Sequence, residues 1–207
     1  MSVIEAWVFV FIAAAVGLYI MYSFSVEAAL ISAGSLLLYG FVYTPLKKVN
    51  SIAVLVGAIP GALPCLIGWV AGFGHGEVHA NWIGGWILFG IQFLWQFPHF
   101  WAIAWVAHKD YSMAGFKLLR SNEGPTKFTA LQAILYSIIM VPVGLLPYLN
   151  NMSGIVSLWI VLGCNLYMVY VSVMLFLKMD VKAARMVMFS SYFYLMLVFL
   201  SLYADKA

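Results

Sequence analysis

Seven long apolar runs, at residues 5–22, 26–43, 52–72, 82–105, 129–149, 153–177 and 184–204, leave little of the chain free to do anything but cross a membrane. A helix needs about 20 residues to span the hydrocarbon core, and each run supplies close to that. Hydrophobic residues make up 65% of the 207 and charged residues 8%, too unbalanced for one water-facing core to absorb. The predicted fold class is all-α: a polytopic membrane helix bundle of about seven transmembrane helices, forming a single membrane domain over residues 1–207. The connection at 23–25 is so short that the first two spans should form an antiparallel hairpin. The first run lacks the basic flank and small-residue cleavage site of a signal peptide. Cys65 and Cys164 fall inside apolar runs and read as small hydrophobes. The net charge of +3 calls for no acidic partner and points to no nucleic acid.

Orientation follows from where the basic residues fall. Lys47 and Lys48 follow the second run; Lys109, Lys117, Arg120 and Lys127 follow the fourth; Lys178, Lys182 and Arg185 follow the sixth. The alternate connections hold no Lys or Arg, and only Lys206 sits on their side. By the positive-inside rule the N-terminus is expected in the cytoplasm and the C-terminus outside. The third run carries Pro60 and Pro64 one turn apart, with Gly57, Gly61 and Gly68. Prolines bend a helix and glycines admit close approach by a neighbour or a ligand, so both tight packing and cavity lining suit this run.

The fourth run holds the main polar anomaly. Gln92, Gln96 and His99 recur at spacings of four and three, which puts them on one helical face. If the helix continues, Asp110 lies under the same stripe about 16 Å further on. Polar groups at membrane depth are costly and usually face a cavity or a partner. For His99 the alternatives are a carbonyl freed by Pro98, or a cavity-facing haem or metal ligand or proton-transfer group. Trp95, Phe97, Phe100, Trp101 and Trp105 surround the stripe and suit packing, a flat aromatic substrate or a carbocation alike. Lys47 and Lys48 serve as membrane anchors, or as phosphate contacts if they face Asp110 across a shared mouth. The segment 106–128 mixes charge with apolar anchors and is expected to form an ordered cytoplasmic cap. Asp110 stands almost alone; the other acids on that side, Glu5, Glu123 and Asp180, are scattered.

These residues carry a resemblance. The stretch QFPHFWAIAW (Gln96 to Trp105), then Asp110-Tyr111 and AGFKLL (Ala114 to Leu119), closely resembles the UbiA-type intramembrane prenyltransferases, in their protohaem IX farnesyltransferase (haem O synthase) branch. YTPLKK from Tyr43 and GAIPGALPCLIGW from Gly57 match the same family in the same order. The resemblance covers essentially the whole chain, most closely from Tyr43 to Leu119. It implies a nine-helix bundle around a cavity open to the cytoplasm. It also implies transfer of a farnesyl group from farnesyl diphosphate to a vinyl carbon of protohaem IX, with Mg²⁺ as cofactor and haem as substrate. Asp110 then resembles the catalytic, magnesium-facing acid, acting through the diphosphate. Tyr43, Lys47 and Lys117 resemble diphosphate contacts. His99 resembles a haem-side residue, with Gln92, Gln96 and Trp101 lining the same cavity. A bacterial plasma membrane setting is implied, with hand-over of haem to a haem A synthase or a terminal oxidase assembly.

Two departures qualify that picture. The family's first Asp-rich motif belongs between its second and third helices, and this sequence begins about where the third starts. The chain is therefore expected to lack two helices of the fold and, as written, to be inactive or nearly so. His108-Lys109-Asp110 also offers one acid where relatives often have two. The competing readings are a non-catalytic haem- or lipid-binding membrane protein and a small transporter; against transport, the runs show no inverted repeat.

Overall fold

The computed structural model describes residues 2–74, 81–119 and 124–206. Its long helices are α1 (Val3–Phe24), α2 (Val26–Leu37), α3 (Ala53–Ala71), α4 (Ile83–Val106), α6 (Lys127–Leu149), α7 (Ile155–Lys178) and α8 (Val181–Ala204), with a short α5 (His108–Met113) after α4. α2 runs on through Leu46, so seven helices are long and apolar enough to cross a membrane, as the seven runs predict. Arg120 and Glu123 lie outside the described residues.

Single residues set the helix boundaries. Ser25 separates α1 from α2: its N–H closes α1 on Met21 O, and its hydroxyl accepts the Ala28 N–H to cap α2. That makes the expected hairpin. Pro45 has no N–H and its ring crowds the carbonyl four residues back. The helix widens ahead of it into a π turn over Leu38–Tyr43, where the Thr44 N–H reaches Tyr39 O, five residues back, and the Thr44 hydroxyl donates to the same oxygen at 2.9 Å. π turns often mark functional positions, and this one delivers Tyr43 and Lys47.

α4 is the centre. It packs against α3, α6 and α8, while α1 touches α2 and has no buried residue. α6, α7 and α8 form a second group beside it. Its members are joined by polar contacts at depth: Ser137 Oγ lies 3.0 Å from Ser172 Oγ, and the Tyr194 hydroxyl donates to Asn165 Oδ1 at 2.8 Å. At one end Met179 takes a left-handed turn (φ 51°) and Asp180 caps α8 by accepting the Ala183 N–H. At the other, Asp205 after α8 caps α7, its carboxylate accepting the Ser157 N–H at 2.7 Å. A negative group on those first-turn N–H donors satisfies them and complements the helix dipole.

One expectation fails here. The run from Gln92 to Tyr111 is not a single helix: α4 ends at Val106, Ala107 leaves helical geometry (φ −100°, ψ 23°), and α5 starts afresh at His108. Asp110 therefore sits on a separate helix and not below His99 on the same stripe. At Ala107 the chain leaves α4, and α5 begins as a separate helix.

Candidate functional site

The segment after α4 is described as far as Leu119, and turn chemistry shapes it. α5 closes with a Schellman motif: Gly115 adopts φ 74°, its N–H reaches Ser112 O, and the Phe116 N–H reaches Tyr111 O at 2.9 Å. That turn returns the chain to α2, where the Lys117 N–H donates to Lys47 O at 2.8 Å. The Lys47 ammonium lies 4.9 Å from the centre of the Phe116 ring and 5.6 Å from that of Tyr43. Cation–π contacts of this length hold a charge while leaving its N–H donors available. Tyr43 and Lys47, one turn apart, are thus joined by the backbone of the distant Lys117, whose side chain lines a separate cavity. The carboxylate-bearing Asp110 is exposed on α5 nearby in sequence.

Beside Tyr43 a cavity of about 340 Å³ lies between α2, α3 and α4, lined by Tyr39, Tyr43, Gly57, Gly61, Gln96 and Phe100 among others. Two glycines let its walls approach closely. A methyl group on Gly57 would come within 2.6 Å of the Tyr43 ring, and one on Gly61 would collide with Gln96 Oε1. Gln96 is buried and its Nε2 donates to Ala58 O at 3.0 Å and to Gln92 O at 3.2 Å. The amide is thus locked at membrane depth with its oxygen toward the glycine gap. Gln92 is half-buried one turn away and contributes its carbonyl to that lock.

A second cavity, of about 610 Å³, opens between the start of α3 and the first half of α6. Phe97, Trp101 and Tyr136 line it, their rings 4.1 to 5.6 Å apart between centres, together with Asn50, Thr129 and Lys117. Trp101 therefore does not share a cavity with Gln96. Five residues at 100° each place the two about 140° apart around α4. His99 departs in a third direction. It is buried against α8, with Nδ1 2.7 Å from Ser191 Oγ, its ring stacked at 4.7 Å on Trp95 and met edge-on at 4.8 Å by Tyr192. Only about 60° separates Gln96 from His99, but that is enough to direct one toward α3 and the other toward α8. Phe100, 5.7 Å from the His99 ring, lines the first cavity.

For a divalent cation the described residues are a poor host on their own. Among them no group of three or more His, Cys, Asp or Glu side chains is placed to hold a metal ion. Asp110 offers a single exposed carboxylate, whereas Mg²⁺ demands six near-octahedral oxygens. The described residues do not fit a resident magnesium site.

The comparison with known families gives this bundle its class, a membrane prenyltransferase. The chain matches the UbiA prenyltransferase family over residues 1–200 and belongs to that family. Among individual relatives, it is 46% identical over 182 residues to a protoheme IX farnesyltransferase of Cytophaga hutchinsonii, covering 88% of this chain and 62% of that protein. It is 38% identical over 210 residues to one of Flavobacterium johnsoniae, covering the whole of this chain and 68% of that protein. A mitochondrial protoheme IX farnesyltransferase of Emericella nidulans is 40% identical over 145 residues, 64% of this chain and 28% of that protein. The chain thus spans about two thirds of the length of these two bacterial relatives. No solved structure matches it.

Proposed function

We propose that the protein transfers a farnesyl group from farnesyl diphosphate to protohaem IX, giving haem O. The observation that carries the proposal is the link at Tyr43, which lines the Gln96 cavity and lies 5.6 Å from the Lys47 ammonium, itself held by Phe116 and tied through its carbonyl to the Lys117 N–H. The relatives named above supply the choice of prenyl donor and acceptor. In this reading the diphosphate end of the donor meets Tyr43, Lys47 and Lys117, and the farnesyl chain runs down between α2, α3 and α4. The allylic C–O bond breaks as negative charge builds on the leaving diphosphate, where two ammonium groups and a phenol can stabilise it. Positive charge builds on the allylic carbon, which the rings of Tyr39, Tyr43 and Phe100 face and keep from water. The π electrons of a haem vinyl group form the new carbon–carbon bond, and water adds to the resulting cation and releases a proton to give the hydroxyethylfarnesyl group. Gln92, Gln96 and Trp101 shape the walls, and His99 serves the haem side. Asp110 would meet Mg²⁺ only when diphosphate oxygens already occupy the metal.

The same proposal puts the protein in a bacterial plasma membrane, N-terminus in the cytoplasm and C-terminus outside, supported by the placement of Lys and Arg. Its product would pass to a haem A synthase or a terminal oxidase assembly. The test uses membranes holding the protein expressed from its complete reading frame, supplied with protohaem, farnesyl diphosphate and Mg²⁺. Farnesylated haem is expected. Lys47→Ala should raise the KM for farnesyl diphosphate at least tenfold, since a hydrogen bond to a charged group contributes about 1.5–3 kcal/mol. An unchanged KM would remove Lys47 from the site. Binding of both substrates without product would replace the transferase by a haem- and lipid-binding protein.

A further inference from the structure

Ser191 is a hydrogen-bonding partner of His99 that the apolar sequence of α8 gives no reason to single out. Its hydroxyl lies 2.6 Å from Met188 O and 2.7 Å from His99 Nδ1. A serine hydroxyl has one proton, and a carbonyl oxygen can only accept. At 2.6 Å two oxygens need a proton between them, so the serine proton is committed to Met188 O. The contact with the histidine must then be donated by the ring: Nδ1 carries the hydrogen and Ser191 Oγ accepts it. In the neutral imidazole that leaves the lone pair on Nε2. Among the described residues Nε2 has no hydrogen-bond partner. The serine is itself held from its other side, because Trp95 Nε1 donates to Ser191 O at 2.7 Å. One turn of α8 is thereby fastened to one turn of α4 at two points.

We propose that Ser191 is a positioning residue that fixes His99 as the Nδ1–H tautomer and presents Nε2 as an axial ligand to the iron of protohaem. This rests on the reading of protohaem as acceptor. The geometry has the form that metal-binding imidazoles require: the nitrogen away from the metal donates to a fixed acceptor, which sets ring orientation and raises the basicity of the other nitrogen. The position suits an acceptor site as well. The Phe100 ring, 5.7 Å from that of His99, lines the Gln96 cavity, so a haem ligated at His99 would lie beside the donor chain. Packing alone does not account for the arrangement, because the Trp95 bond already joins the two helices without a histidine.

The experiment loads ferrous protohaem into the protein in lipid vesicles and records the iron–histidine stretching band by resonance Raman spectroscopy, alongside haem affinity. The band should be present in the wild type and absent in His99→Ala. In Ser191→Ala it should move to lower frequency, because the ring loses its acceptor, with haem affinity falling about 10–100-fold. Ser191→Thr keeps a hydroxyl and should restore both. Trp95→Phe cuts the second tie between the helices and keeps an aromatic ring on His99, and the band should stay in place. A band unmoved by Ser191→Ala would overturn the role of Ser191 while leaving the haem reading intact. Equal shifts in Trp95→Phe and Ser191→Ala would reduce the serine to packing. If the wild type shows no His99-dependent band, both this inference and the haem-side assignment of His99 fall.

Discussion

Two buried amides in this molecule are housed by the same device and put to different ends. Gln96 on α4 lies opposite Gly61 of α3, and Asn165 on α7 lies opposite Gly144 of α6. In each case a side chain on the glycine would collide with the amide, so the small residue is what lets the polar group fit between helices. Beyond that they diverge. Gln96 lies beside a cavity of about 340 Å³, and its nitrogen is anchored by the carbonyls of Ala58 and Gln92. Asn165 is fully enclosed; its oxygen accepts from Tyr194, and its nitrogen has no partner among the described residues. The comparison separates a polar group positioned beside a space from one that joins three helices. A glycine facing an amide does not by itself mark a ligand site, and the open volume next to it is what does.

The largest effect should come from filling the first gap. Gly61→Val places a branched side chain where Gln96 Oε1 and the cavity now are. Overpacking of this kind costs about 1–3 kcal/mol, so affinity for a non-hydrolysable farnesyl diphosphate analogue should fall between about fivefold and a hundredfold. The His99 band described above should be unaffected, since that ring faces α8. Unchanged analogue affinity would show that the farnesyl chain does not use this cavity.

Filling the second gap should act on stability and spare binding. A side chain on Gly144 meets Asn165 Nδ2 and comes within 2.9 Å of Val161 Cγ1, both on α7. Gly144→Val should therefore destabilise the α6–α8 group by about 1–3 kcal/mol, read as an earlier unfolding transition in mixed micelles. Analogue affinity of the folded fraction should match the wild type. If affinity falls as far as in Gly61→Val, the two amides are not functionally distinct.

How far the sequence discloses this difference depends on the residue. All seven spans are legible because lipid leaves a helix few alternatives. The third run announces its role through Gly57, Gly61, Pro60 and Pro64, and the cap through its mixed charge and Gly115. Gln96 and His99 stand out as polar groups in an apolar run, but periodicity reports a shared face only to within about half a turn. A difference of 60° decides which neighbour each one meets. The break at Ala107 has no local signal, since alanine favours helix and no Gly or Pro is near. Asn165 could have been noticed as a lone amide in an apolar run, whereas its partner Tyr194 lies 29 residues away and looks like any lipid-facing tyrosine. Ser137, Ser172 and Ser191 are hidden for the same reason. Small hydroxyls are common in membrane helices, and which of them pair is settled by helix rotation alone.

The smallest effect should distinguish a polar joint from a polar site most cleanly. Asn165→Leu removes the acceptor for Tyr194 and leaves that hydroxyl buried without a partner. The expected cost is about 1 kcal/mol, near the net worth of one hydrogen bond. It is limited further because buried polar groups in membrane proteins average about 0.6 kcal/mol per pair. Adding Tyr194→Phe removes the stranded hydroxyl, and Asn165→Leu also removes an Nδ2 that was unsatisfied from the outset. The double variant should therefore regain most of the loss and unfold close to the wild type, because an apolar pair of similar shape pays no desolvation. If it is instead less stable than either single variant, the amide holds a partner the helices do not themselves supply. Asn165 would then belong with Gln96 as part of a site.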